Sequence, residues 1–160
     1  MSEREPREAD RGRIGLVLFT HAQLAAAFVE AVEMVTGAQD QLVAVAVDVE
    51  ASPDELDDRL QAAIGQVDNG AGVIVMTDLF GGSPANLSLA RMIPGRVEVV
   101  SGLNLAMLLK AVDLRGRSLG DPAVMARAVV REGRENIALA SDLLAERKDL
   151  QPAQRSGEED

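Results

Sequence analysis

Cysteine is absent from this chain, which removes disulfides, thiolate catalysis and cysteine-rich metal sites together. Tryptophan and tyrosine are absent as well, and three phenylalanines are the only aromatic rings besides a single histidine. Stacking platforms for sugars or bases therefore have little to be built from. One His and no Cys leave only a carboxylate-rich metal site, and no acidic spacing speaks for one, so neither a metal nor a cofactor is expected. Positive charge is also short: 16 Lys and Arg stand against 26 Asp and Glu, for a net charge of -10. That balance argues against nucleic acid, since neutralising phosphates takes clustered cations, and a basic or neutral protein partner fits better. No apolar run approaches the roughly 20 residues of a membrane span, and Met1 to Arg13 lacks the apolar segment of a signal peptide. The expected location is cytoplasmic. Neither Gly-x-Gly-x-x-Gly nor a P-loop lysine pattern occurs.

What is present is apolar material enough for one core: 47% of 160 residues are hydrophobic. Residues 1–13 alternate charges without apolar periodicity and are expected to be a disordered arm. Residues 14–146 form one α/β domain, and 147–160 are a polar, disordered tail. Inside the domain, strand and helix alternate. Ile14-Gly-Leu-Val-Leu-Phe-Thr-His21 reads as a strand buried on both faces, followed by a helix with Leu24, Phe28, Val32 and Val35 on one side and Gly37 as its stop. Leu42 to Asp48 is a second strand. Ser52-Pro53 then caps and opens a helix whose face is Leu56, Leu60, Ala63, Ile64 and Val67. Val73-Ile-Val-Met76 is a third strand, and Ser83-Pro84 reads as N-cap and first residue of a short helix through Ala90. Arg96 to Val100 is a fourth strand, leading to a helix from about Asn104 to Ala111.

The alternation predicts a doubly wound α/β fold: a mainly parallel four-stranded sheet with helices on both faces. Val112 to Gly120 is read either as an extra edge strand or as a loop. Asp121 to about Glu146 reads as one long helix with Ala126, Val130, Gly133, Ile137, Ala140 and Leu144 facing the sheet, Gly133 marking a close approach or a break.

Two strands end in a side chain that can do chemistry, His21 after the first and Asp78 after the third, and strand ends are where open α/β sheets gather ligands. A carboxylate beside an imidazole fixes one ring tautomer and leaves the other nitrogen's lone pair free. Spacing alone leaves open a structural histidine and an aspartate that only caps a turn. Phe80-Gly-Gly-Ser-Pro84 adds a loop in which Gly81, Gly82 and Ser83 can converge backbone N–H groups and a hydroxyl on a phosphate-sized anion. Its plainer alternative is a glycine-permitted loop before an ordinary Ser-Pro helix start. A Ser-His-Asp hydrolase is disfavoured, because Gly-Gly-Ser-Pro is not the Gly-x-Ser-x-Gly elbow and the chain order is wrong for that fold.

Four separated stretches, Ile14 to His21, Ala31-Val-Glu-Met-Val-Thr-Gly37, Thr77-Asp-Leu-Phe-Gly-Gly-Ser-Pro-Ala-Asn86 and Ser101-Gly-Leu-Asn-Leu-Ala-Met-Leu108, resemble the mannose-family enzyme IIA of the bacterial phosphoenolpyruvate-dependent sugar phosphotransferase system. The resemblance covers roughly Ile14 to Leu144. It implies a phosphohistidine-relay phosphotransferase, in which His21 takes a phosphoryl group from HPr and passes it to an enzyme IIB during sugar uptake. It places the supporting aspartate on Asp78 and the phosphate-contacting serine on Ser83, and it puts phosphorylation on the outward Nε2. Thr20 and Phe80, next to these positions in sequence, are expected to contact the partner. Homodimers, and peripheral association with a membrane sugar transporter, are implied too. Two positions depart from the family pattern: Ala22 replaces a usual glycine after the histidine, and Ala106 a usual proline. Neither removes a reacting group. The loop differs from the Met-Gly-Ser loop of the enzyme IIA that feeds dihydroxyacetone kinase. Two other readings stand beside this one: a regulatory phosphoprotein whose phosphorylation state is the signal, with no sugar moved, and a flavodoxin-shaped small-molecule binder.

Overall fold

The computed structural model describes residues 12–115, 117 and 120–149, so most of the expected arm and tail lies outside the described residues. The elements are β1 (Gly15–His21), α1 (Leu24–Thr36), β2 (Leu42–Val47), α2 (Pro53–Val67), β3 (Val73–Thr77), α3 (Ser83–Ala90), β4 (Val97–Ser101), α4 (Leu105–Arg115), α5 (Pro122–Glu135) and α6 (Ala140–Asp149). The strands form one all-parallel sheet in the order β2-β1-β3-β4. Because β1 is followed by β2 on one side and then by β3 on the other, the winding reverses between β1 and β3. The crevice at that reversal, beyond the carboxyl ends of the two strands, is the usual binding position in such sheets.

Both sheet faces are covered, which is why β1 and β3 carry unbroken apolar runs. Leu16, Leu18, Ile74 and Met76 pack with α1, α4 and α5 around Val32, Leu108 and Met125. Val17, Phe19, Val73 and Val75 pack on the other face against Leu56, Leu60, Ala63 and Val67 of α2. The α2 start is chemically explicit: Ser52 accepts the Glu55 backbone N–H at 3.2 Å while Glu55 accepts that of Ser52 at 2.8 Å, with Pro53 pre-set at the first position.

Five expectations need correction. Val112 to Arg115 is neither strand nor loop but the last turn of α4, and the described residues hold four strands only. The long final helix is two helices, parted at Asn136, whose backbone N–H and carboxamide both donate to the Glu132 carbonyl, at 3.2 and 2.9 Å, and close the end of α5. Gly133 is thus the close approach and not the break: a Cβ there would lie 2.4 Å from Cγ of Met107. Beyond Asn136 the expected packing face fails, since Ile137, Ala140 and Leu144 are all exposed. On α1 the face turned to the sheet is Ala25, Phe28, Val29 and Val32, while Leu24 and Val35 point outward. The small Ala25 lets this helix end lie close to the sheet, where a leucine would hold it off. Finally, the last helix ends at Asp149 rather than at about Glu146.

Candidate functional site

His21 is the last residue of β1 and Asp78 the first after β3, and the sheet sets them side by side in the crevice. The imidazole Nδ1 lies 3.0 Å from Asp78 Oδ2 and 3.2 Å from Oδ1, and the His21 backbone N–H donates to Oδ2 at 3.2 Å. One carboxylate therefore grips the residue by ring and by main chain. Burial pushes the Asp78 carboxyl up, but the hydrogen bonds donated to it by the His21 ring and backbone outweigh that, holding the group below its ordinary value. An ionised carboxylate only accepts, so Nδ1 carries the proton and the lone pair sits on Nε2. Half of the imidazole is exposed (48%), whereas Asp78 is 14% exposed. A fixed, largely buried carboxylate thus orients an accessible nitrogen.

Strand ends and loop fix the rest. Thr77 Oγ1 donates to Ser101 Oγ at 3.0 Å, and Leu103 N–H to the Thr77 carbonyl at 3.0 Å, tying the end of β3 to β4 just before Asp78. Ala22, in the position where the resemblance implies glycine, has φ 48°, a left-handed conformation that disfavours a side chain, and its N–H donates to the Val47 carbonyl at 2.9 Å. Gly81 has φ 85°. Gly82 caps α3 in extended backbone, so Ser83 is the first helical residue and not the cap, one position away from the expectation. The difference matters. Ser52 spends its hydroxyl on capping α2, whereas no side-chain cap bond forms at α3 and the Ser83 hydroxyl stays available among the described residues. A Cβ built on Gly82 would stand 3.2 Å from His21 Cε1 and 3.7 Å from Nε2, so the free edge of the ring faces the start of α3. The backbone N–H groups of that first turn and its positive dipole end favour an anion there.

Of the expected site residues, His21, Asp78, Gly82 and Ser83 come together. Gly81 shapes the loop. Phe80 is 75% exposed beside them, with Leu79 also exposed. Thr20 must be corrected as a partner contact: it is wholly buried, its hydroxyl without a hydrogen-bond partner among the described residues. Its side chain alternates with that of His21 and so points to the opposite face of the sheet. A cleft of about 490 Å³ opens beside the imidazole, lined among others by Val47, Asp48, Val49, Ser83, Asn86 and Leu87. Asp48 and Asn86 were given no role from sequence. Asp48 follows β2 just as His21 and Asp78 end their strands, so the same rule would have flagged it. No group of three or more His, Cys, Asp or Glu side chains suited to a metal occurs among the described residues. No helix among them is long and apolar enough to cross a membrane.

Comparison with known proteins converges on one family. A family model described as PTS system fructose IIA component (EIIA-man) matches residues 15–129. The sorbose-specific EIIA component of Lacticaseibacillus casei is 33% identical over 96 residues, covering 59% of this chain and 69% of that protein. The mannose-specific EIIAB component of Escherichia coli K12 is 27% identical over 126 residues, or 78% of this chain. This chain spans only 38% of the length of that two-part relative. Among solved structures, the phosphotransferase system component EIIA from Streptococcus agalactiae superposes with a TM-score of 0.72 at 26% identity, over 81% of this chain and 98% of that one.

Proposed function

Because the chain belongs to the EIIA-man family of sugar phosphotransferase-system components, we propose that it is a phosphocarrier: His21 accepts a phosphoryl group from an HPr-type donor and passes it to an enzyme IIB. The observation that carries this reading is the double hold of Asp78 on His21, which leaves Nε2 as the one nucleophilic edge. In the charging step the Nε2 lone pair attacks phosphorus in line. The Nε2–P bond forms as the donor's N–P bond breaks, and that electron pair returns to the donor nitrogen. Asp78 keeps the Nδ1 proton in place and offsets the positive charge that develops on the ring. The Ser83 hydroxyl and the N–H groups of the Gly81–Ser83 loop meet the phosphoryl oxygens. Discharge to the acceptor runs the same steps backwards.

A net charge of -10 suits a donor with a basic face, and such charge acts mainly on encounter rate. By the same family reading, the protein works in the cytoplasm, as a homo-oligomer that associates peripherally with a membrane sugar transporter. The test is incubation with phosphoenolpyruvate, enzyme I and HPr. One acid-labile, base-stable phosphoryl group should appear and should be absent from His21→Ala. Uptake by the His21→Ala protein would overturn the assignment.

A further inference from the structure

Asn86 lines the same cleft as His21 and Ser83. It lies three residues after Ser83, so the two side chains share one face of α3. Helical Cα–Cβ bonds tilt toward the helix N-terminus, and that end is the one the free edge of the imidazole faces. The Asn86 backbone N–H is committed to the Gly82 carbonyl at 3.0 Å. Its carboxamide makes no hydrogen bond among the described residues, and the side chain is exposed. Two N–H donors are therefore uncommitted at the rim of the cleft. The rest of the lining sharpens their meaning. Among the described residues, no Lys or Arg lines the cleft. Its carboxylate, Asp48, is kept below its ordinary value by the hydrogen bond from Arg59 and the N–H of Ala51, and so stays anionic. A dianion placed here meets neutral donors only.

We propose, resting on the phosphocarrier reading, that Asn86 binds the phosphoryl group on His21 through its carboxamide N–H and, by being neutral, keeps that group transferable. Asn86 exchanges no proton: the Nε2–P bond forms and breaks as before, and the Nδ1 proton stays against Asp78. A cationic donor adds the attraction of a full charge to the hydrogen bond it makes with a phosphoryl dianion, which a carboxamide does not. A cation at this position would hold the dianionic carrier more strongly than a loose, metaphosphate-like transition state, and such ground-state binding slows the step that follows. A relay component needs the opposite, a bound phosphoryl group that leaves readily.

The experiment uses the full chain, phospho-HPr as donor and unphosphorylated HPr as acceptor for the reverse step, with wild type, Asn86→Ala and Asn86→Lys side by side. Asn86→Ala should charge roughly 10- to 100-fold more slowly at saturating donor, the usual loss for one donor to a developing charge. Asn86→Lys should hold its phosphoryl group longer against hydrolysis and return it to HPr at least about fivefold more slowly. Neither melting temperature should move by more than a few degrees, because the replaced side chain is exposed. Normal charging by Asn86→Ala, or undiminished discharge by Asn86→Lys, would overturn the role of Asn86 while leaving the carrier intact. A wild-type protein that takes up no phosphoryl group at all would instead overturn the carrier reading, and this inference with it.

Discussion

Replacing Gly82 by alanine separates the site from the fold more cleanly than any change to His21 itself. The backbone there is at φ -81° and ψ 172°, which alanine adopts freely, so no strain is introduced. Two stability effects oppose each other. Alanine restricts the unfolded chain, worth about 0.4–1 kcal/mol, but it is a poorer helix cap than glycine by roughly 0.5–1 kcal/mol. The net is within about 0.5 kcal/mol, or some 2 °C in melting temperature at this chain length. The methyl group, however, stands 3.2 Å from Cε1 and 3.7 Å from Nε2 of His21, in the space a phosphorus on Nε2 and its oxygens must enter. Either the ring gives by a few tenths of an ångström or the phosphoryl group is displaced, and misplacement on the order of 1 Å costs about 100-fold in rate. Charging from phospho-HPr, followed by rapid quench and a gel that resolves the phosphorylated form, should be slowed about 10- to 100-fold at an unchanged melting temperature. A rate within twofold of wild type would mean that the free edge of the imidazole does not react toward α3. A large loss of stability would refute the backbone argument instead.

Asp78→Asn should charge more slowly by on the order of a hundredfold or less, since an amide can present N–H to the ring and favour the wrong tautomer while the phosphate cradle survives; an unchanged rate would reduce Asp78 to a turn cap. Because the folded Asp78 carboxyl titrates below its ordinary value, its contribution to stability is present above about pH 4 and is lost as pH falls through the folded value. Denaturation of wild type and Asp78→Asn should accordingly differ near neutrality and converge in acid, and a gap that widens in acid would contradict the sign. Ala22→Gly relieves a left-handed alanine, worth about 1–2 kcal/mol, against an added unfolded-state entropy of about 0.4–1 kcal/mol, so its melting temperature should stay level or rise, and a fall of more than about 3 °C would reject the strain. Gly133→Ala gains about 1 kcal/mol of helix propensity but drives a methyl to 2.4 Å from Met107 Cγ and 2.6 Å from its sulfur, which costs about 1–3 kcal/mol. Its thermal midpoint should drop by a few degrees, and a rise would show that α4 and α5 are not held at that contact.

The sheet was legible in the sequence because β1 and β3 are buried on both faces, so their apolar runs are unbroken and end on a polar residue at the edge of the core. The same property delivered His21 and Asp78. Helical faces were harder. α1 is apolar on most of its surface, with Glu30 and Glu33 its only charged side chains, so periodicity does not say which stripe turns inward; Ala25, Phe28, Val29 and Val32 face the sheet and Leu24 does not. The split at Asn136 is a helix end closed by backbone and side-chain N–H groups on one carbonyl, a local event that leaves the three-and-four spacing of Ile137, Ala140 and Leu144 untouched. Ser83 was misplaced by one residue because Ser-Pro opens both α2 and α3, and only the partner of the hydroxyl tells a cap from a spare donor. Asn86 stayed unread for a related reason: its meaning comes from sharing a helix face with Ser83 and a cleft with His21.

The imidazole offers one free edge, the Nε2 side that faces the start of α3. On the phosphocarrier reading, donor and acceptor must then use the same doorway in turn, and no complex of all three proteins can pass the group directly. Turnover is an alternating, two-stroke cycle in which each partner competes with the other. An excess of uncharged acceptor should therefore slow charging by occupying the entrance. The throughput of the relay would be capped by how many copies of this chain stand between the two partners and how quickly each is vacated, whatever the affinity of either contact.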